Sequence, residues 1–371
     1  MITLDGTTGI TTPTTDSTAE HIISVTGFKN RIINGGMVID QRNAGAATAN
    51  TISGYTVDRF TALQSTYGKI IAQQNQGSIT PPVGFSNYLG VTSQSAYSVL
   101  TGDMYSIQQL VEGFNISDLA WGTANAQTVT LSFWVRSSLT GTFGGSLTNT
   151  GAITYAFTYS IPVANTWTQI SITVAGATTS TWSSTNTVGL YVRFGLGGGV
   201  TGTTSTLNSW ISGNFTSVTG AVSVVGTSGA TFYITGVQLE KGSVATRFDC
   251  RPYGTELSLC QRYYWRIYAG TGNQRYSLAQ MTSTTQATAF IQFPVIMRTA
   301  PSALEQTGTA SDYLLAYAAT AQACSIAPTH AAASTNAATL TFTVASGLTV
   351  GQAAQTAANS ANSYLGWSAE L

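Results

Sequence analysis

Apolar and uncharged polar residues alternate along most of the chain, which is the period of a strand with one buried face. In the segment 129–135, every second residue is large and apolar, whereas Ser132 and Trp134 occupy the opposite face. The residues of this segment that are predicted to face a core are Val129, Leu131, Phe133 and Val135.

No ten-residue stretch with helical periodicity occurs between residues 28 and 255. Strands are predicted at 69–73, 106–111, 128–136, 153–159, 168–174, 188–194, 221–225 and 231–239. Many short strands at this spacing are typical of a β-sandwich.

Two glycine-rich runs, 141–145 and 195–199, are interpreted as turns between strands. The second run has the composition of a phosphate-binding loop. The Thr-rich residues 200–205 that follow it predict no helix, so there is no helix N-terminus to hold an anion. We therefore predict a connecting loop and no phosphate site.

One short helix is predicted after Gly254. Thr255 is a suitable N-cap, and the residues that follow it at i, i+3 and i+7 form one apolar face. These residues are Leu257, Cys260 and Tyr264. Beyond the helix, a second β region is predicted at 263–268, 287–293, 293–298 and 338–344, whereas the Ala-rich stretch 302–336 fits no pattern.

A chain of 371 residues is long enough for two or three domains with cores of their own. We divide it into an N-terminal arm at 1–27, a sandwich at 28–255 and a smaller β domain at 256–371. The arm is rich in Thr and poor in bulky side chains. It is either a disordered leader or a segment ordered by a docking partner, although residues 21–26 alternate as a strand would. The predicted fold class is all-β.

Charged residues make up only 8% of the chain, with 14 basic and 14 acidic side chains. No basic stripe is present to follow a phosphate backbone, so nucleic-acid binding is not expected. No apolar run reaches the roughly 18 residues of a membrane span, so membrane insertion is not expected. A net charge of zero and only three lysines to protect sheet edges favour self-association.

Cys250, Cys260 and Cys324 form no CxxC pair, and His21 and His330 stand apart from them. A zinc site needs clustered ligands and a disulfide framework needs an even set of cysteines. We therefore predict three reduced thiols, no metal and no other cofactor. The N-terminus lacks the basic and apolar regions of a signal peptide, which predicts assembly in the cytoplasm.

Blocks of sequence resemble, in order, those of bacteriophage tail-fibre and virion appendage proteins. The blocks are 29–42 (KNRIINGGMVIDQR), 55–60 (YTVDRF), 109–112 (QLVE) with 129–136 (VTLSFWVR), and 236–264, which contains Arg-Pro-Tyr-Gly at 251–254. The resemblance implies a galactose-binding-like jelly-roll sandwich followed by a smaller C-terminal β module. It further implies a virion location, a homotrimer, and attachment to other virion proteins through an extended N-terminal segment.

Catalysis has little support in the sequence. A glycoside hydrolase needs two carboxyl groups at a defined separation, and neighbouring Arg42, Arg59 and Arg247 favour buried ion pairs instead. No Gly-x-Ser-x-Gly elbow is present and neither histidine lies in a triad-like pattern. We predict no catalytic residues among the acidic candidates Asp40, Asp58, Asp103, Glu112, Asp118 and Glu240.

Glycan binding is a hypothesis that aromatic residues in polar, loop-like segments support. Aromatic rings pack on the apolar face of a pyranose, and amide or carboxyl groups fix its hydroxyls. The candidates are Trp182 and Trp210, followed by Trp121 and Tyr97. The alternative is that these rings close an end of the sandwich or fill a subunit contact.

The sequence therefore predicts a virion structural protein, tail-fibre-like or from another appendage, that acts in particle assembly and host-surface contact, with a host-surface glycan as a possible partner. Two alternatives remain open. One is a polysaccharide-degrading depolymerase of the virion, and the other is a collar or decoration protein without a ligand.

Overall fold

A computed structural model describes residues 3–5, 9–11, 29–48, 53–151, 153–270, 274–318 and 320–371. In the N-terminal arm it describes only β1 (Thr3–Asp5) and β2 (Gly9–Thr11), which pair antiparallel. The strand predicted at 21–26 and the rest of the arm lie outside the described residues.

A seven-stranded sheet forms one layer of the sandwich. Its strands are β3 (Ser53–Tyr55), β4 (Phe60–Gln64), β7 (Met104–Glu112), β9 (Gly141–Thr148), β10 (Ile153–Ile161), β12 (Val188–Gly198) and β14 (Trp210–Ser212). Their spatial order is β14-β10-β9-β12-β7-β4-β3, and every neighbouring pair is antiparallel.

A five-stranded sheet forms the other layer. Its strands are β5 (Ile70–Gln74), β6 (Leu89–Ser93), β8 (Val129–Ser137), β11 (Thr168–Val174) and β16 (Thr231–Lys241), in the order β11-β8-β16-β6-β5. A short parallel pair, β13 (Thr203–Thr204) and β15 (Ser217–Val218), forms a separate two-stranded sheet. Single 3₁₀ turns occur at Gln76–Ser78, Gly113–Asn115, Ser117–Leu119, Val200–Gly202 and Ala310–Asp312.

The core of the sandwich lies between these two sheets. The alternate residues predicted to face it from β8 are all buried and belong to one cluster with side chains of the opposite sheet. Trp134 lies on the other face and is partly exposed. The all-β prediction, with a sandwich followed by a second β region, is therefore confirmed.

Both glycine-rich runs were wrongly interpreted as turns, because β9 begins at Gly141 and β12 continues to Gly198. A Cβ on Gly144 or Gly195 would lie 2.6 or 2.5 Å from Ser217 Oγ. Side chains at these positions are therefore excluded by the β15 segment, which crosses directly over the sheet. Glycine marks this close approach and not a chain reversal. The residues after the second run, predicted to form no helix, form one 3₁₀ turn at Val200–Gly202 and no α-helix.

The other strand predictions of the sandwich are confirmed within a few residues, except that at 221–225. There, the amide of Val222 donates to Thr142 O at 2.8 Å, and the amide of Val225 donates to Leu196 O at 3.1 Å. The backbone therefore bonds to two different strands, β9 and β12, and forms no ladder of its own.

The predicted short helix is present as α1 (Tyr253–Gln261), but its N-cap is Pro252 and not Thr255. Cys260 is buried on its inner face, beside Ile33 and Tyr263. Tyr264 is already the first residue of β17 (Tyr264–Tyr268), which pairs with β25 (Tyr364–Ser368).

A second seven-stranded sheet follows. It contains β18 (Arg275–Met281), β19 (Gln286–Gln292), β20 (Tyr313–Tyr317), β21 (Thr320–Ala323), β22 (Ile326–Ala333), β23 (Ala337–Thr343) and β24 (Ala353–Ala358), in the order β21-β20-β24-β18-β19-β23-β22. The Ala-rich stretch therefore supplies three strands. The strand predicted at 293–298 is wrong, since Pro294 has no amide proton to contribute to a ladder.

Buried ion pairs join the sandwich to the C-terminal β region. Arg59, on the sandwich, pairs with Glu370, and the two side chains are 1% and 6% exposed. Arg59 also donates to Leu110 O at 2.6 Å and stacks on Tyr263, with its guanidinium carbon 3.5 Å from the ring centroid. Arg42 reaches the same Glu370 carboxylate at 3.1 Å.

The Arg-Pro-Tyr-Gly segment at 251–254 is held by the first sequence block, residues 29–42. Arg251 donates to the carbonyl oxygen of Asn30 and pairs with Glu256 of α1 at 3.1 Å. At the C-terminal end of the helix, Glu112 pairs with the C-cap residue Arg262 at 2.6 Å. The sequence blocks that identify the resemblance therefore meet at one junction. The domain boundary at 255/256 itself stays a prediction.

Candidate functional site

Three of the four aromatic candidates form one cluster. Trp121, Trp182 and Trp210 pack edge to face, with ring centroids 4.7 to 5.3 Å apart. Each indole N–H donates to a backbone carbonyl oxygen at 2.7 to 3.2 Å. Trp121 is buried and the other two rings pack against the sandwich core. Their polar atoms are thus already bonded within the protein, and a ligand role for them stays a prediction.

Tyr97 lies elsewhere. Its hydroxyl donates to Asp103 at 2.8 Å, its ring packs edge-on against Tyr105, and the ammonium of Lys69 lies 4.5 Å from its ring centroid. Within the described residues, no ring contact connects Tyr97 to the tryptophan cluster.

The ion pairs expected of the acidic residues form with different partners. Arg42 and Arg59 pair with Glu370 and not with the aspartates beside them in sequence. Asp58 is buried and accepts hydrogen bonds from the amide and the side chain of Gln41, at 2.8 and 2.5 Å. Burial raises the pKa of Asp58 to about 6, although these hydrogen bonds oppose the shift.

The remaining acidic candidates bond mainly to local backbone or to a single cation. Asp40, Asp103 and Glu240 accept backbone amides within loops, at 2.8 to 3.0 Å. Asp118 pairs with Arg31 at 2.6 Å. These carboxylates therefore stabilise loops and the junction. In the described residues, no group of three His, Cys, Asp or Glu side chains is placed to hold a metal ion.

A groove of about 540 Å³ crosses the outer face of the five-stranded sheet. We call it the Trp134 groove, and its principal residues are Phe85, Trp134, Gln169, Gly236, Arg247 and Phe248. Trp134 on β8 lies opposite Gln169 on β11 and opposite Thr235 on β16. The pleat of the sheet thus places the Trp134 ring beside the Gln169 amide, whereas the Thr235 hydroxyl is buried and donates to Asn87 O at 2.7 Å.

A β-bulge shapes the groove. The register of β16 against β8 shifts between Thr235 and Gln238, and Gly236 in the bulge has φ +63°. A Cβ on Gly236 would lie 2.5 Å from the ring of Phe85, so glycine allows that ring to rest on the strand. The next residue, Val237, accepts a hydrogen bond from the side-chain amide of Asn30 at 3.0 Å.

Phe85 and Phe248 form one wall, with ring centroids 5.0 Å apart in an edge-to-face arrangement. A smaller hollow of about 220 Å³ lies beyond this wall and shares Phe85, Phe248 and Cys250 with the groove. Cys250 is exposed, whereas Cys260 and Cys324 are buried, and no disulfide joins these three cysteines. Burial raises the pKa of Cys260 and raises that of Cys324 to about 12.

The indole N–H of Trp134, unlike those of the clustered tryptophans, is not bonded within the described part of the protein. Its ring is partly exposed, and no described residue accepts a hydrogen bond from its indole N–H. The exposed side chains of Gln169 and Arg247 likewise have no hydrogen-bond partner among the described residues, and no described lining residue is Asp or Glu. The groove therefore combines a flat apolar surface with unused hydrogen-bonding groups.

The sequence placed Trp134 on the outer face of its strand but did not identify it as a site residue. The signal available was a tryptophan at a solvent-facing strand position. The walls come from segments far apart in the chain, 83–85 and 246–250, which only the fold brings together. Another hollow, of about 350 Å³, is lined by Gly, Thr, Ser, Val, Leu and Ala and has no aromatic ring.

Comparisons with known proteins found no matching family model and no match among curated proteins. Among solved structures, the enzymatically active domain of bacteriophage CBA120 tailspike protein 4 matches at 12% identity and TM-score 0.31. That match covers 57% of this chain and 21% of the other, so the chain spans about a fifth of the tailspike structure.

Two carbohydrate-binding modules also match. TmCBM61, solved with β-1,4-galactotriose, has 8% identity and TM-score 0.30, with 58% of this chain and 100% of the module covered. The CBM22-1 xylan-binding domain of Paenibacillus barcinonensis Xyn10C has 9% identity and TM-score 0.27, with 55% and 99% covered. Similarities at this level assign no family.

None of the helices in the described part of the chain has the length and hydropathy of a membrane span.

Proposed function

We propose that this protein binds a glycan in the Trp134 groove without cleaving it. The observation that carries the proposal is the state of Trp134, a partly exposed ring whose N–H has no acceptor in the described chain. Pyranose rings pack their C–H face on such a surface while their hydroxyls accept and donate hydrogen bonds at its edge.

The polar groups around the ring suit hydroxyl recognition. The amide of Gln169 both donates and accepts, and the guanidinium of Arg247 donates only. Because both side chains are exposed and unpaired within the described residues, a ligand gains their hydrogen bonds without breaking existing ones. A groove open along a sheet suits an internal stretch of a polysaccharide.

Binding without hydrolysis is favoured by the lining of the groove. Glycoside hydrolysis generally uses two carboxyl groups that flank the scissile bond, and the described lining residues contain neither Asp nor Glu. Glu240, nearby on β16, is engaged by the amide and hydroxyl of Thr246 at 2.8 and 2.6 Å.

We further propose that the protein is a virion component, tail-fibre-like or from another appendage, that contacts the host surface. The sequence blocks that resemble those of such proteins support this role. These blocks meet at the junction between the sandwich and α1, which supports a structural role for them. A trimeric assembly attached through the N-terminal arm would present several grooves at once, and multivalent contact strengthens weak glycan binding.

The test compares Trp134→Ala with the parent on purified surface polysaccharide and on a glycan array. Loss of the ring should weaken binding by about ten-fold or more, since an aromatic contact is worth ~1–2 kcal/mol. Trp134→Phe, which keeps a ring but removes the N–H, should lie between the two. Tyr67→Ala should bind like the parent, because this exposed ring lies just before β5, at the other edge of the five-stranded sheet from β11.

Cys250 supplies a second readout without mutation. It is the exposed thiol beside the groove, and the two buried thiols have raised pKa values, so alkylation at neutral pH should select Cys250. A bound glycan should slow that reaction. Unchanged binding by Trp134→Ala would refute the groove as the binding site. Absence of any glycan binding by the parent would refute the proposed function. Shortening of the polysaccharide would support the depolymerase alternative.

A further inference from the structure

We propose that the outer face of the C-terminal seven-stranded sheet is the surface through which copies of this chain associate. This inference is independent of the glycan groove, which lies on the other domain. It rests on the exposure, register and charge of the side chains that this face presents.

Two large apolar side chains lie next to each other on the face. Leu278 on β18 is 70% exposed and Phe290 on β19 is 60% exposed. The pairing of Ala279 with Ala289 places Leu278 directly opposite Phe290. The same row continues to Gln355 on one side and Thr339 on the other.

The neighbouring rows are polar but uncharged. One contains Gln280, Thr288 and Thr341, and another contains Gln286, Thr343 and the exposed Ile326. Within all seven described strands, the only Asp, Glu, Lys or Arg is Arg275, at the first position of β18. The opposite face is buried against Trp265 and Trp367.

The chemistry of this face suits an identical partner. A Gln amide or Thr hydroxyl both donates and accepts hydrogen bonds, so the face can bond to an uncharged surface of an identical copy and needs no partner of complementary charge. Different partners generally use opposite charges for recognition, and this face offers almost none. A copy meets no like-charge repulsion, and the chain has a net charge of zero.

The size of the face is close to that of a standard protein–protein contact. Seven strands at about 4.8 Å spacing and about six residues at 3.3 Å each give a flat area of about 29 by 20 Å, or roughly 600 Å². Pleating and side chains enlarge the accessible surface above this projection. A standard interface buries about 800 Å² on each partner.

The test is sedimentation of the full chain at micromolar concentration. The parent should have a mass of two or more chains. Leu278→Glu with Phe290→Glu should weaken association by about a hundred-fold or more, because each interface would then bury unpaired carboxylates. Phe114→Glu, at a 55% exposed phenylalanine of the sandwich, is the matched control and should keep the parent mass.

Thermal unfolding of each variant separates loss of association from loss of folding. Leu278→Gln with Phe290→Gln, which keeps the face uncharged, should fold normally and associate more weakly than the parent. The proposal is overturned by a parent that sediments as a single chain. It is equally overturned by a folded double-Glu variant with the parent mass, or by dissociation of Phe114→Glu to the same extent.

Discussion

Glu370→Gln should be one of the most destabilising conservative changes in the chain. The carboxylate is 6% exposed and faces Arg59, which is 1% exposed, and Arg42, which is 12% exposed. The substitution keeps the shape but leaves two largely buried guanidinium groups without their shared anion. Removing one partner of a buried pair typically costs ~3–5 kcal/mol, a large part of a typical unfolding free energy of ~5–15 kcal/mol.

Urea titration followed by tryptophan fluorescence would measure this loss. Asp118→Asn is the matched control, because Asp118 is 58% exposed in its pair with Arg31. Exposed pairs are generally worth under about 1 kcal/mol. A double variant, Arg59→Met with Glu370→Met, should lose less than the sum of its single changes. Equal losses for Glu370→Gln and Asp118→Asn, or strict additivity in the double variant, would refute the reasoning.

Two further changes test the interior. The folded-state pKa of Asp58, about 6, lies above its ordinary value of 3.8, so ionised Asp58 destabilises the native state above pH 6 and this penalty fades as the pH falls toward 3.8. Asn offers only one acceptor oxygen to the two Gln41 donors, so the test is the difference between two pH values. Relative to the parent, the unfolding free energy of Asp58→Asn should be higher at pH 7 than at pH 4, by up to about 3 kcal/mol, measured by urea unfolding at both values. An equal difference at both values contradicts this. Trp210→Ala should lower the unfolding free energy by about 3 kcal/mol through loss of ring packing, while binding in the Trp134 groove is retained. Unchanged thermal stability of this variant would argue that the Trp210 ring is free for a ligand.

The sequence predicted the strands whose apolar residues alternate. β11 was placed at its observed bounds because Ile170, Ile172 and Val174 repeat at every second position. Some of the strands that were missed carry glycine or alanine instead, although β4, β18 and β20, which carry larger side chains, were also missed. β9 at Gly141–Thr148 and β22 at Ile326–Ala333 have few large side chains, so their hydrophobic signal is weak although the ladder still forms.

The candidate site was less predictable than the fold. Trp134 was assigned to the correct face, but its groove depends on Phe85 and Phe248, which come together only after the sheet and its bulge have formed. The ion pairs show the same limit. Arg59 is adjacent to Asp58 in sequence, yet its backbone φ of +70° accompanies a side chain directed to Glu370 from the distant end of the described chain.

Asn30 connects the bulge of the groove to the helix of the junction. Its side chain bonds to Val237 O, at the groove, and its carbonyl oxygen accepts from Arg251, which pairs with Glu256 of α1. A force applied to a molecule bound in the groove would therefore be transmitted from β16 through Asn30 to α1 by hydrogen bonds and an ion pair, and not only along a flexible linker. The two β regions should therefore respond to such a load together.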